Sequence, residues 1–215
     1  FYLYAGAGCA AAMFYSYSPG QIVLAATILL LFLSDIRYHW QQRKTVAAAF
    51  GMTLISALPL LRFQLVHPEE TLRHLQVLNS YWIQHISWGQ KLALFGKEYL
   101  SGLNPLYWFF SNDHDLARHQ MDGYGHFFWF MLPFILLGIV LAISRIRQPV
   151  YRNLLFALLA APSGAAIAKL GITRILVMVI PMSVFGALAI NWLLDKVPDF
   201  RRRTAQAASL GVFVL

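Results

Sequence analysis

Five stretches of this chain, residues 21 to 34, 45 to 61, 127 to 144, 150 to 168 and 172 to 194, are nearly free of charge. A span of a lipid bilayer takes roughly 20 apolar residues, with about 17 tolerated. Hydrophobic residues make up 59% of the chain and charged residues 12%, with a mean hydropathy of +0.57, which places it with membrane proteins rather than soluble domains. The expected fold class is all-α and polytopic. It has about five complete spans, the first rather short, and truncated helices at both termini. The chain begins with Phe1, residues 1 to 15 are already small and apolar with no basic leader ahead of them, and residues 205 to 215 open another apolar run. It reads as an internal piece of something larger.

Charge sets the expected orientation. Arg37, Arg43 and Lys44, then Arg145, Arg147 and Arg152, then Lys196, Arg201, Arg202 and Arg203 place ten of the seventeen bases in three short loops. Positive-inside bias assigns these loops to the cytoplasmic side, and the alternation of spans allows all three to be there at once. The net charge of +8 therefore reports orientation rather than nucleic-acid binding, which needs a basic face on a folded domain. The other face receives the Tyr15 to Gln21 segment, the long loop 62–126 and the turn around Lys169 to Arg174. That long loop holds six of the nine acids and six of the seven histidines. Cys9 is the only cysteine, so neither an intramolecular disulfide nor a cysteine metal site can form.

Within the long loop, His67-Pro68-Glu69-Glu70 resembles a helix start. Leu72, Leu75, Leu78, Trp82 and Ile86 then recur at helical spacing, and Leu92, Phe95, Tyr99 and Leu103 form a second such face. With Trp82, Trp88, Tyr99, Tyr107 and Trp108 as amphipathic aromatics, two helices lying along the outer interface are expected; a small cap packed on itself is the alternative. The domain plan is thus transmembrane helices over 1–61, an exoplasmic loop with amphipathic helices over 62–126, and transmembrane helices over 127–215.

The polar density of residues 107–125 makes this segment the first candidate for chemistry. Asp113, His114, Asp115 and His119 are donors compatible with a divalent cation, although adjacent loop residues cannot all point inward, and turn or capping roles suit the aspartates better. No residue is assigned as a metal ligand, and the cofactor is left open, with a divalent metal as the candidate. Arg118 and Arg174 are candidates for gripping a phosphate through paired charge-assisted hydrogen bonds, weighed against snorkelling to the interface. Tyr15 and Tyr17 offer hydroxyls to a sugar or phosphate, weighed against interfacial anchoring. Gly123 and Gly125 permit a tight turn before the next span.

The order of short motifs adds a resemblance. Tyr15-Ser-Tyr17-Ser-Pro19, Leu58-Pro59-Leu60 and His67-Pro68-Glu69 are followed by Tyr99-Leu100, Asn112-Asp113, Arg118-His119 and Gly123-Tyr124-Gly125, then by Leu132-Pro133, Arg174, Ile180-Pro181 and Gly186-Ala187. This series resembles bacterial glycosyltransferases of family 39, the protein-mannosyltransferase-like members of the GT-C superfamily. Gly20 and Gln21 depart from it where relatives often have a base. The resemblance implies an integral protein of the bacterial inner membrane, with loop 62–126 exoplasmic, that moves a sugar from a polyprenyl-phosphate donor to an acceptor. It implies a catalytic acidic pair in an earlier loop outside this sequence, so no residue here is catalytic. Arg174 and Arg118 would contact the donor phosphate, and Tyr15, Tyr17, Asp113 and His119 would serve the sugar or the lid. The implied partners are the polyprenyl-phosphate-linked sugar and membrane lipid. A transporter or flippase for a lipid-linked sugar is the alternative function.

Overall fold

The computed structural model describes residues 2–113 and 115–196, and among these every regular element is helical. The opening helices are α1 (Tyr2–Ser16), α2 (Ser18–Ser34), α3 (Ile36–Gln41) and α4 (Arg43–Val66). The long loop contributes α5 (Pro68–Val77), α6 (Trp88–Leu103) and α7 (Pro105–Phe109), and the remainder forms α8 (Leu132–Ser144), α9 (Pro149–Ala160), α10 (Pro162–Ala165), α11 (Ile172–Ile175) and α12 (Val179–Leu194). Proline punctuates this order. Pro19, Pro68, Pro105, Pro133, Pro149 and Pro162 all stand in first turns, where the missing N–H has no intrahelical partner to lose.

All five apolar runs contain helix, but two segments are long and apolar enough to cross a bilayer: Arg43–Val66 with 24 residues and Ile172–Leu194 with 23. The other runs are shortened at their ends. Ser18–Ser34 has 17 helical residues, so it extends about 25 Å, short of a hydrocarbon core of about 30 Å. Residues 127–128 are non-helical before the 3-10 turn Trp129–Met131, and residues 166–168 leave the helix after Ala165. The bases Arg201, Arg202 and Arg203 and the apolar run 205–215 lie outside the described residues.

Between Val46 and Leu61 helix α4 carries no charge, and Ala49 is its one buried residue. Phe50, Ile55, Leu58, Leu61, Leu65 and Val66 stand exposed on different sides of it, Leu65 at 75%. A water-facing helix conceals its apolar stripe against a core; a helix with no polar face needs an apolar surround. The opposite situation holds for α8 and α12. Gly138 lets them meet backbone to backbone, since a Cβ there would lie 2.0 Å from the Phe185 carbonyl oxygen. Ile135, Ala142, Met182 and Phe185 close this core, which continues into Tyr107, Trp108 and Phe109.

Two expectations for the long loop change. The apolar face starting at Leu72 does not run on to Trp82 and Ile86, because α5 stops at Val77 and Asn79 turns left-handed at φ 49°. Trp82 instead sits in the 3-10 turn Tyr81–Ile83. Tyr107 and Trp108 are core residues rather than interfacial ones, 3% and 1% exposed, and the Trp108 indole N–H donates to the Gly102 carbonyl at 2.7 Å. The α6 face also differs: Leu92 is exposed, while Phe95, Tyr99 and Leu103 are partly covered.

The segments expected to share one end do meet. Ser18 Oγ lies 3.1 Å from His74 Nε2, bringing the α1–α2 turn to α5, while the long loop packs on the turn after α10. Toward the other end, Arg152 reaches Asp35 at 3.7 Å, which joins two of the three basic loops.

Candidate functional site

The turn between α10 and α11 carries backbone groups that no helix satisfies, and side chains from distant parts of the chain supply their partners. Tyr81 OH donates to the Ala166 carbonyl, and Ser80 Oγ donates to the Ile167 carbonyl at 2.7 Å. The Leu170 N–H donates to Glu98 Oε2 at 2.7 Å, and the Ile172 N–H to Asp115 Oδ1 at 2.6 Å. Arg174 Nη1 closes the turn on itself by donating to the Lys169 carbonyl at 2.7 Å. Buried backbone groups without partners are costly, so these contacts hold the turn in one shape.

Asp115 makes the densest set. Its side chain is 2% exposed, and Oδ2 accepts from Tyr107 OH and from His126 Nε2, each at 2.9 Å. A carboxylate only accepts, so His126 carries its proton on Nε2. Gln120 Nε2 donates to the Asp115 main-chain oxygen at 2.8 Å. The base of this loop is tied as well, by the Phe127 N–H donating to the Trp108 carbonyl at 2.8 Å. Gly125 allows that closure, since a Cβ there would lie 2.4 Å from the Phe109 carbonyl carbon, and Gly123 supplies the left-handed turn at φ 76°. Burial pushes the Tyr107 hydroxyl well above the usual phenol range, and its hydrogen bond to Asp115 and the charge of that carboxylate push in the same direction.

A cavity of about 250 Å³ opens between loop and turn. Lys169, Thr173 and Arg174 line one side, Asn79 and His119 contribute from the loop, and Leu78, Leu116 and Leu170 give it an apolar wall. Asp115 also lines it, with the carboxylate committed to Tyr107, His126 and Ile172. The charges left to face a ligand are therefore cationic. A cavity this small falls below the roughly 300–1,000 Å³ typical of whole small-molecule sites. The larger groove along α4, about 870 Å³, is an open apolar channel beside Ile55, Leu58, Pro59 and Val66, with Arg62 and His67 at its end and no convergent polar groups.

Of the residues singled out in the sequence, Arg174, His119 and Asp115 come together at this cavity. Arg118 does not line it: the side chain is exposed and Nε donates to His119 Nε2 at 3.3 Å, orienting that ring. Asp113 is exposed, and His114 lies outside the described residues. Tyr15 OH donates to the Ser56 carbonyl at 2.5 Å, joining α1 to α4, and Tyr17 is exposed ahead of α2. No three His, Cys, Asp or Glu side chains converge as metal ligands among the described residues. Lys169, Asn79, Glu98 and the inward role of Asp115 are additions. Asn79-Ser80 directly after a periodic run is a helix-stop signal that marks Asn79 in the sequence.

Comparison with known proteins finds no matching family model, no similar curated protein and no similar solved structure.

Proposed function

We propose that this chain is part of an integral-membrane glycosyltransferase of the family 39 type, and that the cavity between the long loop and the Lys169 to Arg174 turn holds the phosphate of a polyprenyl-phosphate sugar donor. The observation that carries the reading is the pairing of Lys169 and Arg174 in one small cavity at the start of the apolar segment Ile172–Leu194. A lipid-linked phosphate needs cations at the edge of the hydrocarbon and an apolar surface below them for its tail. Arginine and lysine supply charge-assisted hydrogen bonds there, and α4 and Ile172–Leu194 supply the apolar surface.

In this reading all five apolar runs cross the inner membrane, the shorter ones where the bilayer thins or neighbouring helices cover their ends. The bases at Arg37, Arg145, Arg147 and Arg152 face the cytoplasm, and the loop 62–126 faces outward as a lid over the donor site. His119, Asn79 and Thr173 then offer hydrogen bonds to the phosphate or to the first sugar.

Farnesyl phosphate, titrated against the full chain in lipid nanodiscs, tests this directly. Saturable binding is expected, weakened about tenfold or more in Arg174→Ala, because a hydrogen bond to a charged group contributes about 1.5–3 kcal/mol. Farnesol, which lacks the phosphate, should not distinguish the two proteins. Equal affinity of both proteins for farnesyl phosphate would remove Arg174 from the site.

A further inference from the structure

The segment Ile172–Leu194 begins behind Gly171, which occupies the N-cap position and has no side chain to offer the first amides. The missing cap arrives from 57 residues earlier in the chain, as Asp115 Oδ1 on the Ile172 N–H. The other oxygen of the same carboxylate holds Tyr107 of α7 and His126 at the far end of the loop. One buried side chain therefore joins both ends of the loop to the turn that bears Lys169 and Arg174. We infer that Asp115 is the positioning residue of this cavity: its carboxylate clamps the 107–126 loop to the first amide of Ile172–Leu194 and so fixes where the two cations stand. The inference rests on the reading of the cavity as a phosphate site.

Two features separate this role from that of a general base. A carboxylate has about four lone-pair positions, and three here are occupied by N–H or O–H donors. The side chain is also 2% exposed, so an acceptor hydroxyl has little access to what remains. Those donors answer a second question, which is how an anion-binding cavity tolerates a carboxylate in its wall. Hydrogen bonds from Tyr107, His126 and Ile172 spread the negative charge away from the cavity, toward the loop and the helix start.

The turn translates the clamp into cation placement. Arg174 spends one donor nitrogen on the Lys169 carbonyl, so the two bases are referenced to each other through the same short backbone stretch that Asp115 anchors at Ile172. A ligand that draws Lys169 and Arg174 together stiffens this stretch, and a stiffer stretch favours the ligand. Coupling of this kind is reciprocal.

The test uses the full chain in lipid nanodiscs, with farnesyl phosphate and farnesol as probes and hydrogen exchange read over residues 170–174. Asp115→Asn keeps the size of the side chain and an oxygen for the Ile172 amide, but replaces the acceptor facing Tyr107 and His126 with a donor. It should weaken farnesyl phosphate binding about tenfold, leave farnesol binding unchanged and speed exchange over 170–174. Tyr107→Phe, which removes one of the three donors and keeps the ring, should give a smaller loss with the same selectivity, and it carries the test if Asp115→Asn does not fold. Wild-type affinity for farnesyl phosphate in these variants, or an equal loss of both probes, overturns the inference. If the wild-type chain binds no farnesyl phosphate, the phosphate reading fails; exchange then judges the clamp alone, with faster exchange in Asp115→Asn supporting it and unchanged exchange overturning it.

Discussion

Tyr107 shows how a residue with an interfacial appearance becomes part of a site. Its hydroxyl is a donor to Asp115 inside the protein, and the same burial that makes the contact keeps its proton bound. Tyr81 and Tyr99 are shifted upward as well, chiefly by burial, and each donates to a main-chain carbonyl, Tyr81 to Ala166 and Tyr99 to Leu159. The consequence has a definite sign. Below the ordinary phenol value of 10.0 the three groups are protonated whether folded or unfolded. Above it the unfolded chain loses protons that the folded chain retains, so stability falls as pH rises toward the folded values, with a slope approaching about 1.4 kcal/mol per pH unit for each such group. Unfolding midpoints between pH 9 and 11.5 should therefore drop with pH, and less steeply in Tyr107→Phe; an identical slope would show that Tyr107 is not a buried donor. At this scale the sequence is readable only where chemistry is intrinsic to the side chain. Arg174 and His119 stand out because their charge and ring are intrinsic to the side chain, and both line the cavity. The roles of Tyr15 and Asp115 depend on partners 41 and 57 residues away, which local patterns do not encode.

The helices were largely visible as apolar runs bounded by proline, and the start of α5 at Pro68 follows the pattern of its first turn. Periodicity misled where it was extended past a stop, at Asn79-Ser80, since leucine and tryptophan at three- and four-residue spacing look the same in a helix as in a helix followed by a turn. Spacing is also silent about contact distance. Gly138 and Gly186 are both glycines on packed helices, yet a methyl group at Gly138 would meet the Phe185 backbone oxygen at 2.0 Å, while one at Gly186 would meet the flexible end of Met131 at 3.2 Å. Gly138→Ala must push α8 and α12 apart and should cost about 1–3 kcal/mol, against a much smaller effect for Gly186→Ala. Thermal unfolding of the two variants in the same detergent gives the comparison, and equal midpoints would contradict the close approach of α8 and α12.

Across the whole molecule, two ends with different chemistry emerge. One gathers the Asp35 and Arg152 loops, and the other gathers the loop 62–126 around a turn bearing Lys169 and Arg174. Composition made the apolar character plain, and charge asymmetry grouped the loops of Asp35 and Arg152, which meet. The helical length of each run was less legible, because hydropathy marks apolar length while the helix ends depend on turns such as 166–168. The exposed apolar residues of α4 and the cation pair beside Ile172–Leu194 support the proposal that an anionic lipid head group binds at the loop end of the bundle. A polyprenyl phosphate with a photoreactive group on its first isoprene unit, cross-linked to the full chain in nanodiscs and mapped by mass spectrometry, tests that claim most directly. Adducts at residues 169–174 and 115–119, lost on competition with unlabelled farnesyl phosphate, are the predicted result; adducts confined to residues 145–152, or labelling that farnesyl phosphate does not displace, would contradict it.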